Sequence, residues 1–323
     1  MNILKYICLP GLLVSGDIQT VSAVESKTDK NPNILVILID DAGYNDFGFM
    51  GSKEMQTPNI DALTSEGVVF TDAHVAATVS SPSRACLITG RYGHRFGYEC
   101  NLSDRTNGLP LEEETIAEVF KTNGYRTAAI GKWHLGSRDE QHPNNRGFDL
   151  FYGMKAGGRD YFYNEKKSDR PGDERNLLLN DRQVKFEKYL TDAFSEKAVE
   201  FINESSQPFM MYLAYNAVHT PMQATDEDMA KFEGHPRQKL AAMTYALDRG
   251  VGTVIRGLKD SGKFDNTLIF FLSDNGGATT NQSSNYPLKG FKGNKFEGGH
   301  RVPYFVVWKN GIPAMTLDRK SVV

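Results

Sequence analysis

Two kinds of chemistry are written into short stretches of this chain: capture of an oxyanion and capture of a hard cation. The stretch Thr78 to Arg91 reads T-V-S-S-P-S-R-A-C-L-I-T-G-R. Pro82 suits the first turn of a helix, where its missing N–H costs nothing, and Ser80 or Ser81 can cap that turn. Cys86, Leu87 and Ile88 then carry the helix into a core, and Thr89-Gly90 ends it. This sets Ser80 just outside a helix N-terminus, where unpaired N–H groups and the helix dipole favour an anion. Arg84, one turn in, adds a fork of donors suited to a tetrahedral oxyanion. The plainer reading of the same letters is a Ser-Ser-Pro cap on an ordinary helix. Asp40, Asp41, Asp274 and Asn275 supply only oxygen ligands, which suit Ca2+ or Mg2+ and disfavour zinc. Taken singly, Asp-Asp after a strand is also a helix cap, and Asp-Asn-Gly-Gly a tight turn. Lys132 and His134 stand two apart in G-K-W-H-L-G, so an extended backbone points both the same way.

The elements that must position these residues are legible from apolar runs. Asn33 to Ile39 (N-I-L-V-I-L-I) is continuous, as in a parallel strand covered on both faces, and it stops at Asp40-Asp41. Thr127 to Ile130 predicts a strand entering the Lys132/His134 segment. Phe209 to Tyr215 predicts one ending at Asn216-Ala217-Val218-His219, and Thr267 to Leu272 one ending at Ser273-Asp274-Asn275. Val68 to Phe70 reads as a short strand after a helix opened by Thr57-Pro58. Further helices are predicted over Glu112–Asn123, with acidic residues crowding the first turn, and over Asp192–Asn203. The longest follows the stripe Leu240, Met243, Leu247, Val251, Val254 and Leu258. Lys155 to Tyr189 keeps no period and reads as loops and a hairpin over the mouth of the domain. The alternation implies an α/β fold, a mostly parallel sheet with helices on both faces. Ligands of such sheets sit outside the carboxyl ends of the strands. Four strands ending in polar clusters therefore point to one shared site.

The 323 residues, 40% hydrophobic and 24% charged, suit one large domain with a small appendage at most. A net charge of −3, without a basic run, argues against a nucleic-acid partner. Lys5, the apolar stretch Ile7 to Val14 and the small residues Val21-Ser22-Ala23 read as a secretory signal peptide over residues 1–23. That stretch is too short to span a bilayer, and no later segment reads as a membrane span. A linker (24–32), a catalytic domain (33–310) and a tail (311–323) complete the expected organisation, in a protein exported to the periplasm or secreted. Cys8 would leave with the signal; Cys86 and Cys100 either pair in an oxidising compartment or remain free buried thiols.

The run Ser80-Ser81-Pro82-Ser83-Arg84, followed by Leu87 and Thr89-Gly90-Arg91, resembles the signature of the type I sulfatases, arylsulfatase-like members of the alkaline phosphatase superfamily. In that family the first residue of the signature, Cys or Ser, is oxidised to formylglycine by a dedicated maturation enzyme. Here that residue is Ser80, as in the serine-type bacterial branch, and Cys86 has the wrong spacing from Pro82 and Arg84. The resemblance implies a divalent cation held by Asp40, Asp41, Asp274 and Asn275 and touching the side chain at position 80, Ca2+ with Mg2+ close behind. It also matches Lys132 and Lys292 to the substrate-side lysines, His134 to the histidine that assists the aldehyde hydrate, and His219 to the second active-site histidine. Lys289 and Lys295 are expected to stay solvated.

In the mechanism so implied, the hydrated aldehyde at position 80 attacks sulfur and His219, with Lys292, protonates the leaving alcohol. His134 then takes a proton from the second hydroxyl and sulfate is expelled. With calcium bound, Arg84, Lys132 and Lys292 outweigh the three carboxylates and leave the site positive, a well for a sulfate ester. The expected substrate is a sulfated small molecule or carbohydrate. The rivals are a phosphomonoester or phosphonate hydrolase of the same superfamily and a non-catalytic sulfated-glycan binder. Family members usually continue into a smaller C-terminal subdomain, so a chain ending at Val323 reads as C-terminally truncated. The aromatic stretch Asp160 to Tyr163 either stacks on a sugar ring or packs within its loop.

Overall fold

The computed structural model describes residues 31–101, 108–312, 314 and 316–318. The expected signal peptide, most of the linker and much of the 311–323 tail lie outside the described residues.

Among the described residues ten strands form one sheet: β1 (Asn33–Ile39), β2 (Gly67–Phe70), β3 (Arg126–Lys132), β4 (Leu150–Met154), β5 (Leu178–Leu179), β6 (Arg182–Gln183), β7 (Phe209–Ala214), β8 (Thr267–Ser273), β9 (Tyr304–Val307) and β10 (Thr316–Asp318). Their order is β10-β2-β9-β8-β1-β7-β3-β4-β5-β6. The centre, β8-β1-β7-β3-β4, is parallel throughout. Antiparallel pairing is confined to the flanks, where β9 joins β8 to β2 and the β5–β6 hairpin extends β4. The helices are α1 (Pro58–Thr64), α2 (Ser80–Thr89), α3 (Ile116–Thr122), α4 (Leu190–Glu204), α5 (Asp226–Ala230), α6 (Gln238–Asp260) and α7 (Glu297–His300).

The unbroken apolar run of β1 is explained by cover on both faces. Leu35, Ile37 and Ile39 pack in a core with Phe194 and Phe201 of α4 and Leu240, Met243 and Leu247 of α6. Ile34, Val36 and Leu38 pack in a second core with Ala85 and Ile88 of α2 and Ala117 of α3. Each fully buried aliphatic side chain contributes roughly 1.5–3 kcal/mol relative to exposure, so this central strand anchors both layers.

The helix expected from Glu112 begins instead at Ile116. Thr115 Oγ1 accepts the Glu118 N–H at 3.1 Å, and the Glu118 carboxylate accepts the Thr115 N–H at 2.7 Å, a reciprocal cap that fixes the start. Glu118 is the acid in its first turn, while Glu113 pairs with Arg91 at 2.6 Å ahead of the helix. In the Asp160–Tyr163 stretch Tyr161 packs within its loop: it is buried, stacks on Tyr189 at 5.3 Å, and donates to the carbonyl oxygens of Asn216 (2.6 Å) and His219 (2.8 Å). Cys86 and Cys100 are both free, the first buried and the second exposed. No helix among the described residues is long and apolar enough to cross a membrane.

Candidate active site

The polar clusters at the ends of β8, β1, β7 and β3 fall side by side because those four strands are adjacent and parallel. The ladders run on past the strand ends. Asp274 N–H donates to Ile39 O at 2.9 Å, Asp40 N–H to Ala217 O at 2.9 Å, and Val218 N–H to Asp40 O at 2.8 Å. Asp40 continues the alternation of Ile34, Val36 and Leu38 and so faces the α2 layer, which brings Ser80 to it.

Ser80 Oγ lies 3.2 Å from Asp40 Oδ1 and 3.1 Å from Asn275 Oδ1. Neither Ser80 nor Ser81 caps α2, contrary to the sequence reading: Val79 is the N-cap, without a side-chain bond, and Ser80 is the first helical residue. The two serines part company there. Ser81 Oγ donates to His134 O at 2.8 Å and sits 2.7 Å from Tyr98 Oη, whereas Ser80 faces Asp40 and Asn275.

Asp40 is fully buried, with Lys132 Nζ 2.6 Å from its Oδ2 and Arg84 Nη2 3.7 Å from its Oδ1. Burial alone would raise its pKa, but the charges of Lys132, His219, Arg84 and Lys292 outweigh that and hold it well below the carboxylate range. Asp41 accepts from Asn275 Nδ2 at 2.8 Å and from Lys292 Nζ at 2.7 Å, and its own N–H reaches Asp274 Oδ1 at 3.3 Å. Asp274 goes the other way: burial, then the negative charge of Asp40, raise its pKa despite Arg84. Burial likewise lowers that of Lys132, with Asp40 opposing.

Arg84 does not turn its fork outward as the sequence suggested. Nε and Nη2 lie 3.0 and 2.8 Å from Asp274 Oδ2, and Nη1 donates to Lys132 O at 3.1 Å. A fully buried guanidinium needs these partners more than a diffusing ligand does, and Arg84 therefore braces the floor. Lys132 is equally enclosed. Lys292, with its side chain 20% exposed, is the lysine at the rim.

The extended geometry assumed for Lys132 and His134 fails. Gly131 takes φ +106°, and a Cβ there would meet Ala214 O at 1.9 Å, so β3 leaves its pleat at this point. His134 follows at φ +59°. Burial, then the charges of Lys132 and Arg84, push its pKa well below the ordinary value, and its Nδ1 is buried without a hydrogen-bond partner. His219 donates from Nδ1 to Thr220 O at 2.6 Å and places Nε2 3.7 Å from Asp41 Oδ2.

Sequence reasoning missed the backbone that covers these rings. A Cβ on Gly157 would lie 2.6 Å from His134 Nε2, and one on Gly158 3.3 Å from the His219 ring. The only signal was a Gly-Gly pair in an aperiodic segment. It also missed Asn281, whose Nδ2 donates to Asp41 O at 3.1 Å and Val218 O at 2.9 Å, fixing two of the strand ends.

The residues present fit a hard cation. Four side chains supply oxygen donors, Asp40, Asp41 and His219 offer ligand atoms within 4.8 Å of one another, and the pKa of Asp274 is raised by burial and then by the negative charge of Asp40.

A mostly parallel sheet with helices on both faces and an ionic cluster at its carboxyl edge is the alkaline-phosphatase-like α/β class. The sulfatase family model matches residues 32–322, and the chain belongs to the sulfatase family. It is 33% identical to an uncharacterized sulfatase, YdeN, of Escherichia coli K12, over 91% of this chain and 61% of that protein. It is 37% identical to arylsulfatase J of Mus musculus, over 85% of this chain and 48% of the relative. The chain thus spans about half to three fifths of these relatives. The crystal structure of Ps i-CgsB in complex with k-i-k-neocarrahexaose superposes with a TM-score of 0.85 at 43% identity, covering 91% of this chain and 69% of the other.

Proposed function

We propose that this chain hydrolyses sulfate monoesters of a carbohydrate, with position 80 reactive after a maturation enzyme oxidises Ser80 to formylglycine. One observation carries the proposal. Ser80 Oγ meets oxygens from two strand ends, those of Asp40 and Asn275, beside carboxylates that Lys132 and Lys292 pair and with His219 Nε2 3.7 Å from Asp41. Family membership supports the reaction class, and the neighbour bound to neocarrahexaose supports an oligosaccharide substrate.

Asp40, Asp41, Asp274 and Asn275 would hold the divalent cation, calcium in preference because the ligand set is irregular and rich in carboxylates. Bound there, the cation supplies positive charge for a sulfate oxygen, and the aldehyde supplies an electrophilic carbon where serine has only a hydroxymethyl group.

The chain's own residues divide the remaining work. Lys132 keeps Asp40 anionic from below, and Lys292 meets the sulfate from the rim. Because His219 Nδ1 is committed to Thr220 O, Nε2, 3.7 Å from Asp41 Oδ2, is the atom that carries a proton toward the leaving alcohol. His134, held neutral, is in the state that accepts a proton. Gly157 and Gly158 lay bare backbone against both rings, where a side chain would crowd them.

The segment around Lys5 and Ile7 to Val14 supports export to the periplasm or beyond. Sulfate release from a panel of sulfated oligosaccharides and aryl sulfates, beside matched phosphate esters, tests the assignment. The expected outcome is sulfate release with phosphate esters far slower. Preference for phosphate, or binding of the sulfated sugars without turnover, overturns it.

A further inference from the structure

We propose that His74, Glu297 and His300 form a second metal site, at the surface, for a borderline transition-metal ion such as Zn2+. The donor set is two imidazole nitrogens and a carboxylate, unlike the all-oxygen set around Ser80, and it suits a different class of ion. The three ligand atoms lie within 4.8 Å of one another.

The tautomers point the same way. His74 Nδ1 is 3.1 Å from Asp72 O, and His300 Nδ1 is 3.1 Å from Phe296 O. A carbonyl oxygen only accepts, so each Nδ1 carries a hydrogen and each neutral ring presents its lone pair at Nε2. Those Nε2 atoms are the ones turned to Glu297, His74 at 3.0 Å from Oε2 and His300 at 4.0 Å from Oε1. Backbone carbonyls orienting the far ring nitrogens are the usual support of metal-binding histidines. Without a metal, the 3.0 Å contact needs a proton between nitrogen and carboxylate; an ion takes that proton's place and releases it.

The backbone beneath is fixed. His74 bridges Arg301 in antiparallel register, Val75 N–H donates to His300 O at 2.8 Å, and Val302 N–H donates to Ala73 O at 3.0 Å. His74 thus comes from a position facing Arg301, while Glu297 and His300 are the first and last residues of α7, just before Arg301. Ligand atoms around zinc stand roughly 3.3 Å apart, so closure asks for at most about 1.5 Å of movement, within reach of the partly exposed His300 and Glu297 side chains. Their exposures of 28% and 47% also leave room for a water as fourth ligand. Arg301 commits Nε and Nη2 to Thr71 O, and shares Nη1 between Asp72 Oδ1 at 3.2 Å and Glu297 Oε2 at 3.4 Å, so Glu297 Oε1 is the carboxylate oxygen it leaves to an ion. Occupancy would tie the segment leading to Ser80 to the segment that follows Lys292.

Isothermal titration of Zn2+ into the full chain, with Ca2+ saturating, tests the site independently of catalysis. The expected result is one Zn2+ bound, with affinity reduced more than about tenfold in His300→Ala and in Glu297→Gln. Glu297→Gln keeps the side-chain shape, so a folding defect in one variant does not decide the matter. Anomalous diffraction at the zinc edge should place the ion between the two Nε2 atoms. Absence of Zn2+ binding, equal affinity in the His74→Ala/His300→Ala double variant, or an ion located elsewhere would overturn the proposal.

Discussion

Lys132→Met isolates the ionic floor of the site. In the wild type, Lys132 Nζ stands 2.6 Å from Asp40 Oδ2 with both side chains fully enclosed. Removing one partner of such a pair leaves a buried charge uncompensated and costs roughly 3–5 kcal/mol. Arg84, 3.7 Å from Asp40 Oδ1, and the Ser80 hydroxyl remain, so the lower end of that range applies. In a protein of this size each kcal/mol moves the midpoint by roughly 2 °C, giving a fall of about 6 °C. The assay is thermal unfolding in chelator and again in saturating calcium. A divalent ion beside Asp40 replaces part of the lost positive charge, so the fall should shrink with calcium present. Adding Asp40→Asn in chelator should recover more than half of it, since the stranded charge is gone. A Lys132→Met protein that melts with the wild type in chelator would refute the reasoning.

Asp41→Asn removes a carboxylate proposed to hold the cation, at a 2%-exposed position, and the midpoint rise given by calcium at a concentration that saturates the wild type should largely vanish. That rise corresponds to about 2.7 kcal/mol at a hundredfold excess over Kd, and calorimetric scans with and without calcium measure it. Gly157→Ala puts a Cβ 2.6 Å from His134 Nε2, and turnover should fall at least about tenfold. Melting should change little, because the flexible histidine yields rather than the sheet. His134 stays neutral when folded, chiefly through burial, whereas the unfolded chain takes up a proton below the ordinary value of 6.5. The unfolded state then binds more protons, so stability falls as pH drops from there, by up to about 1.4 kcal/mol per pH unit. His134→Gln should flatten the urea midpoint between pH 7 and 5, and an unchanged slope would contradict the assignment.

Much of the site was legible because its residues end apolar runs. β1 stops at Asp40-Asp41 and β8 at Ser273-Asp274-Asn275, and parallel neighbours deliver such ends to one edge of the sheet whatever the helices do. What escaped depends on partners distant in sequence. Arg84 turns inward because Asp274 needs a counter-charge, and only the folded contact shows it. The left-handed backbone of His134 and the close approach of Gly131 to Ala214 are likewise properties of the folded chain, not of a local propensity. The start of α3 could have been read, since Thr115 and Glu118 spell a capping box; the acidic run before it pulled the boundary forward.

The most direct test of the central claim is mass spectrometry of the peptide carrying Ser80, taken from a preparation whose sulfate-releasing activity has been measured. The account predicts a peptide about two daltons lighter than its serine form, the two hydrogens lost on oxidation to the aldehyde, in a fraction that tracks activity across preparations. An intact serine throughout a fully active preparation would contradict it.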